Sequence, residues 1–326
     1  MRYLKSFLFV LFFSLLMVAC GKEELEKTEP APDEIWYTST DGNVVGLSNA
    51  DGFDANVLSN IYENGRGVIV FDRAVTGIGD KAFYSCANLE SVVFSDEVVS
   101  VGDMAFALCD ALTAVTGMSN VAKIGKNVFA RCSSLRSVDL SGKLTELPER
   151  VFSQCAALAS VGDLSGVATL GEAAFSQCSS LDSINLSNRV TVLPASLFYN
   201  CESLEYVGDL SSVSTVGEYA FGGCSRLASV GKLSKVANIR HDAFDKCVSL
   251  TSVELSKVLT KIGDYAFGNC SKLENVYCPA AVPPALGTVV FVAAPATLKI
   301  HVPAGSVGAY KSAASWRPYW DKIVGE

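Results

Sequence analysis

Residues 262–276 read Ile262-Gly-Asp-Tyr-Ala-Phe267-Gly-Asn-Cys270-Ser-Lys-Leu273-Glu-Asn-Val276. The same spaced letters recur nine times, on Phe83, Phe106, Phe129, Phe152, Phe175, Phe198, Phe221, Phe244 and Phe267, always 23 residues apart. Cys follows each Phe by three positions (Cys86 to Cys270), Leu by six (Leu89 to Leu273), and Val or Ile by nine (Val92 to Val276). A branched aliphatic precedes each Phe by five (Ile78 to Ile262). One such coil is too short to bury its own apolar face, but a stack of coils buries each face against the next, so the period predicts a solenoid. In Leu135-Arg-Ser-Val138-Asp-Leu140 alternate side chains point in and out, which predicts one strand per coil and a parallel sheet along the array. The A-F-x-x-C segment falls on the opposite wall, as turns or short helical pieces. Phe fills the thick part of each coil, and Cys, small and readily buried, fills a tight corner.

The unit resembles the BspA-like leucine-rich repeat, I-G-x-x-A-F-x-x-C-x-x-L-x-x-I-x-L; Val276 in place of Ile is the one departure within residues 262–276. The resemblance covers residues 78–278. It implies a β-rich leucine-rich-repeat solenoid: a right-handed superhelix with a parallel sheet on one wall and turn or short helical segments on the other. It also implies a surface protein that binds host or neighbouring-cell proteins or glycans.

The copies are not uniform. After Val92, Val138, Ile184 and Val253 the strand continues with one residue and then Leu or Phe. After Val115, Val161, Val207 and Val230 two residues intervene, among them Gly117, Gly162, Gly208 and Gly231. An added residue with Gly in a strand predicts a β-bulge. Plain and bulged coils alternate as far as Val207, and Pro148 and Pro194 share this double period, which suggests duplication of a two-coil unit.

The chain has 326 residues, 49% hydrophobic and 18% charged, with a formal net charge of −8. That apolar content excludes wholesale disorder, and the acidic balance argues against a nucleic-acid partner. Arg2 and Lys5 precede the apolar run Phe7 to Val18, too short to span a bilayer and suited to a secretory signal. Its end, Leu16-Met17-Val18-Ala19-Cys20, resembles the bacterial lipobox and makes Cys20 the expected lipidation site. Lys22-Glu23-Glu24 is similar to the signal that sends some lipoproteins to the outer face. The expected organisation is a signal peptide (1–19), a charged, Pro-containing tether (20–33), an N-terminal β cap (34–76), nine repeats (77–278) and a mixed C-terminal cap (279–326). The protein is thus expected as a monomer at the cell surface, on the outer membrane, with lipid as its sole membrane contact.

The caps should seal the two apolar ends of the array. Glu34–Thr40 and Gly67–Phe71 read as strands at one end. At the other, Leu298–Val302 reads as a strand and Val307–Trp316 as a short helix, with Trp320 and Ile323 packing behind it. Trp36, Trp316 and Trp320 all fall in the flanks, as cap packing or as an aromatic patch.

Catalytic and metal chemistry find little support. One Cys per coil forms a line, whereas zinc needs ligands converging on a point. Free core thiols are the simplest reading, with pairing between adjacent coils the alternative. His241 and His301 have no nucleophile and acid at readable spacing, and no phosphate loop, zincin or EF-hand pattern occurs. No cofactor, metal or enzymatic activity is expected. The candidate working surface is the solvent side of the strands: Arg136, Asp139, Asp182, Asn185, Tyr206, Glu254 and Tyr277, with Glu90, Glu205, Glu274 and Asn275 beside them. Tyr206 and Tyr277 are the best anchors, because Tyr is over-used at interfaces. The outer turn, with Tyr84, Tyr199, Tyr219 and Tyr265, is the alternative.

Overall fold

The computed structural model describes residues 28–326; the signal segment, Cys20 and Lys22-Glu23-Glu24 lie outside them. Each coil has three walls. On the first, the strands Leu89–Phe94, Ala114–Thr116, Ser137–Leu140 and Ser160–Gly162 run parallel, with Val92, Val115 and Val138 inward. Further along, Ser183–Ile184 pairs with Tyr206–Val207, and Ser252–Glu254 pairs with Asn275–Tyr277 and then Lys299–Val302. The second wall is a ladder of two-residue strands, from Gly77–Ile78 to Ala285–Leu286, each placing its second residue inward up to Ile262.

The third wall carries A-F-x-x-C as consecutive turns. Two residues per coil adopt left-handed backbone, two before and two after the Phe: Lys81 and Ser85, Met104 and Leu108, and so on to Val289 and Ala293. All but Gly223 are side-chain-bearing residues, and each such conformation costs about 1–2 kcal/mol. Hydrogen bonds between coils offset that cost. The amides of Lys81, Phe83 and Ser85 donate to the carbonyls of Asp103, Ala105 and Ala107 in the next coil, and later coils repeat the pattern. The intervening amides of Ala82, Tyr84 and Cys86 close turns onto the residue three before.

Inside this frame the Phe rings form one column. Successive centroids lie 5.0–5.7 Å apart with planes within 2–24° of parallel, from Phe83 to Phe291. Edge-on rings close it at both ends: Phe53 stands 5.9 Å from Phe83 at 83°, and Tyr319 stands 5.1 Å from Phe291 at 86°. Such pairs add about 0.5–1.5 kcal/mol each beyond area burial.

The cysteines form a second column. From Cys109 to Cys270 each buried thiol donates to the carbonyl of the Phe in the preceding coil, at 2.9–3.2 Å. All ten Cys among the described residues are buried and free of disulfides. Desolvation pushes the Cys109, Cys155, Cys201 and Cys270 thiols up to about 12, and Cys132, Cys178, Cys224 and Cys247 well above the ordinary value. A thiol that cannot ionise is a poor nucleophile. Native protein should therefore label weakly with a thiol reagent, and unreduced protein in denaturant nearly completely. One or two reactive thiols in denaturant would mean disulfides instead.

The flanks differ from expectation in four places, one being that the helix expected over Val307–Trp316 stops at Ser312. Residues 31–33, expected in the tether, belong to the fold: the carbonyls of Ala31, Pro32 and Asp33 accept the amides of Glu34, Val75 and Phe71. The strand Glu34–Ser39 runs antiparallel to both Arg66–Phe71 and the first repeat strand Leu89–Phe94, which ends the parallel register. The segment 279–326 opens with a tenth coil before any cap, with Ala285–Leu286 paired to Lys261–Ile262 and Phe291 stacked on Phe267. Its Phe comes 24 residues after the last and Ala294 takes the Cys place, so the strict spacing misses it. The cap itself is the helix Val307–Ser312, a 3-10 stretch Ala314–Lys322 and the strand Ile323–Gly325. Trp316 is fully buried and donates from Nε1 to the Pro284 carbonyl at 2.9 Å. Trp320, expected behind the helix, is instead 61% exposed.

Candidate recognition surface

The repeat spacing puts Asp139, Asn185, Glu254 and Tyr277 in one row on the solvent side of the first wall, and Arg136 and Asp182 in a second. All six, and Tyr206, are exposed. They do not form one site. Tyr277 stacks on His301 at 4.5 Å; His301 Nε2 lies 3.0 Å from Asn275 Oδ1, and Nδ1 lies 2.6 Å from the Glu326 carboxylate. Those contacts tie Tyr277 to the C-terminal end. Glu254 faces Lys232 at 3.9 Å, and Tyr206 stands beside the ion pair of Glu205 with Arg226.

Asp139 and Asn185 do come together. They flank Gly162 across an open groove of about 860 Å³, lined also by Ser160, Asp163 and Asn188. The groove lies where the sheet is interrupted. The amides of Thr113, Arg136, Ala159, Glu205 and Glu274 each donate to the residue one coil earlier, at 2.8–3.1 Å. Among the described residues, the equivalent amides of Asp182 and Ala228 have no backbone acceptor. The strands Ser160–Gly162 and Ser183–Ile184 accordingly do not pair. Gly162 stands at the bulge expected from the extra residue, with a register shift against Ser137–Leu140 and a φ of +74°. A Cβ on Gly162 would lie 2.7 Å from the Leu140 nitrogen. Asp163 receives hydrogen bonds from the Ser165 amide and hydroxyl, which lower its carboxyl below the usual range. The groove thus presents carboxylates, amides, hydroxyls and unpaired backbone, a surface suited to hydrogen-bonding a polar ligand.

The alternative surface is partly realised. Tyr199, Tyr219 and Tyr265 line up along the turn wall with His241 as a fourth ring; Tyr84 lies coils away.

The pattern described as BspA type leucine rich repeat region, six copies, matches residues 76–205 and 195–304. The chain belongs to the BspA-type leucine-rich repeat family. A leucine-rich repeat protein from Bacteroides ovatus ATCC 8483 is similar to it in structure, with 25% identity over 79% of this chain and 70% of that one, and a TM-score of 0.59. A T. pallidum leucine-rich repeat protein matches with 28% identity over 59% of this chain and 90% of that one, at a TM-score of 0.45. One from Eubacterium ventriosum ATCC 27560 matches with 24% identity over 67% and 80%, at 0.40. No curated protein matches.

Within this BspA-type array, no group of three or more His, Cys, Asp or Glu among the described residues is placed to hold a metal. What the repeat pattern conceals is the interruption itself. Asp182 looks like any other first-wall residue in sequence, and the bulging Gly162 one coil earlier is the nearest signal.

Proposed function

We propose that this BspA-type protein is a recognition module, held at the cell surface by lipid on Cys20, that binds host or neighbouring-cell proteins or glycans. The observation that carries the reading is the groove between Asp139 and Asn185, at one of two places where the first-wall ladder leaves a backbone amide unpaired. The lipobox ending in Ala19-Cys20 supports the anchor, and Lys22-Glu23-Glu24 supports outward display. Full-length protein on protein and glycan arrays should give hits that the double variant Asp139→Ala, Asn185→Ala loses without a shift in melting temperature. Hits unchanged in that variant would count against the groove. Cys20→Ala should abolish palmitate incorporation and release the protein from the membrane fraction; retention of both would refute the anchor. Replacing Lys22, Glu23 and Glu24 by Ala should protect the protein from protease on intact cells.

A second reading, a self-assembling envelope spacer, is favoured by one feature. The strand Val57–Glu63 is the outer strand of the seven-stranded sheet, with Leu58 66% and Ile61 50% exposed. Sedimentation that shows concentration-dependent assembly, together with empty arrays, would select it.

A further inference from the structure

The turn wall between Tyr199 and Tyr265 departs from the repeat at one coil. Four positions before the Phe, the other coils carry Gly or Pro (Gly79, Gly102, Gly125, Pro148, Gly171, Pro194, Gly217, Gly263); one coil has Arg240. The next residue there is His241 and the next Asp242. Tyr199, Tyr219, His241 and Tyr265 form an edge-to-face chain along the solenoid axis, with centroids 5.6–6.2 Å apart and planes 84–87° apart.

This chain is built in place. Asp242 is 7% exposed, and its carboxylate lies 2.5 Å from His241 Nε2. Asp242 also interacts with Tyr219, whose phenol is pushed up to about 12, chiefly by that carboxylate and less by desolvation. His241 Nδ1 lies 3.1 Å from the Asp264 carbonyl. Both ring nitrogens of His241 are thereby oriented, while Tyr265 is exposed.

Beside His241, where the second wall turns into the third, lies a hollow of about 560 Å³. Arg240, Lys261 and His241 stand on its rim with Glu218 and Asp264. Gly263 also lines it, packed so closely on the preceding coil that a Cβ would lie 2.6 Å from the His241 nitrogen. Arg240 and Lys261 are exposed, and neither has an ion pair among the described residues. Asp264 accepts hydrogen bonds from the Thr288 amide and hydroxyl.

From this arrangement we propose that the hollow is a second binding site, for an acidic oligosaccharide, with the ligand carboxylate between Arg240 and Lys261 and a sugar ring against Tyr265. A guanidinium matches a carboxylate in two parallel hydrogen bonds. Glu218 and Asp264 accept only, so they suit sugar hydroxyls and disfavour a densely anionic ligand. The exposed ring of Tyr265, next in the chain to Asp264, offers an apolar face on which a sugar ring can lie. The site rests on the recognition reading above but lies on a different wall from the Asp139–Asn185 groove.

The test is calorimetric titration of full-length protein with three probes: trigalacturonic acid, the neutral galactose trisaccharide, and triglutamate. Trigalacturonic acid should bind at least about tenfold tighter than either of the others, the scale of a charge-assisted contact. Arg240→Gly, which restores the residue of most other coils, and Lys261→Gln should each weaken it about tenfold or more, with unchanged melting temperature. Tyr265→Ala should weaken the acidic and neutral trisaccharides alike, and Asp139→Ala with Asn185→Ala should change nothing. Equal binding of the neutral sugar, equal binding of triglutamate, no binding, or wild-type affinity in both Arg240→Gly and Lys261→Gln would overturn the proposal. Array hits lost only with the Asp139 and Asn185 variant would then leave the groove reading intact.

Discussion

Phe175→Ala should lower stability by about 3–5 kcal/mol. Phe175 is fully buried, with its ring 5.6 Å from Phe152 and 5.7 Å from Phe198. Removing it leaves a cavity in the middle of the column and deletes two stacked pairs, each worth about 0.5–1.5 kcal/mol. In an array held by nearest-neighbour contacts, the loss weakens both interfaces of one coil and invites the melt to start there. Gln177, two residues on, is exposed, and Gln177→Ala should change stability by no more than about 0.5 kcal/mol. Thermal melts of the two variants give the comparison, and equal shifts would contradict the register of rings described above.

Trp316→Ala should cost about as much, again roughly 3–5 kcal/mol, from a position outside the repeats. Trp316 seals the open end of the array: it packs edge-on to Tyr310 at 4.8 Å and donates to the Pro284 carbonyl. Trp316→Phe keeps a ring but strands that carbonyl, for a smaller loss of about 1–3 kcal/mol. Trp320→Ala, at an exposed ring, should stay within about 0.5 kcal/mol. Hydrogen exchange in Trp316→Ala should quicken first over residues 285–302, the coil next to the lost seal. A Trp316→Ala melt no different from that of Trp320→Ala would mean that the cap is ornamental.

Much of this fold is legible because one physical demand is repeated nine times. Each coil needs a large ring in the middle, a small residue at the corner and inward aliphatics on two walls, so Phe, Cys, Leu and Val recur at fixed spacing. Once the spacing slips the signal fades. Phe291 sits one residue late, with Ala294 for Cys, yet the ring still stacks on Phe267 because the coil tolerates an extra residue in its turn. The carbonyl acceptor of each thiol, and the left-handed residues around each Phe, were hidden for another reason: backbone direction leaves almost no trace in side-chain identity. The chain tolerates Lys, Met, Asn, Arg, Ala, Ser, Tyr, Asp and Val at the same left-handed position. The candidate surface was legible only in part. Alternation identified its exposed residues, Asp139 and Asn185 among them. Which of them share a groove depends on the unpaired amide of Asp182, a property of the stack and not of any one residue. His241 is visible in the sequence only as a lone His in a turn, which carries no signal until Tyr219, Asp242 and Tyr265 are placed around it.

The central claim is that the ladder between coils is open at the Asp139–Asn185 groove, where the working surface is proposed. Residue-resolved hydrogen exchange on the native protein, without ligand, tests it directly. The amide of Asp182 should exchange much faster than those of Arg136, Ala159 and Glu205, which occupy the same place in coils whose ladder is closed. Protection of Asp182 equal to that of its three counterparts would mean that the sheet is continuous there, and would contradict the account.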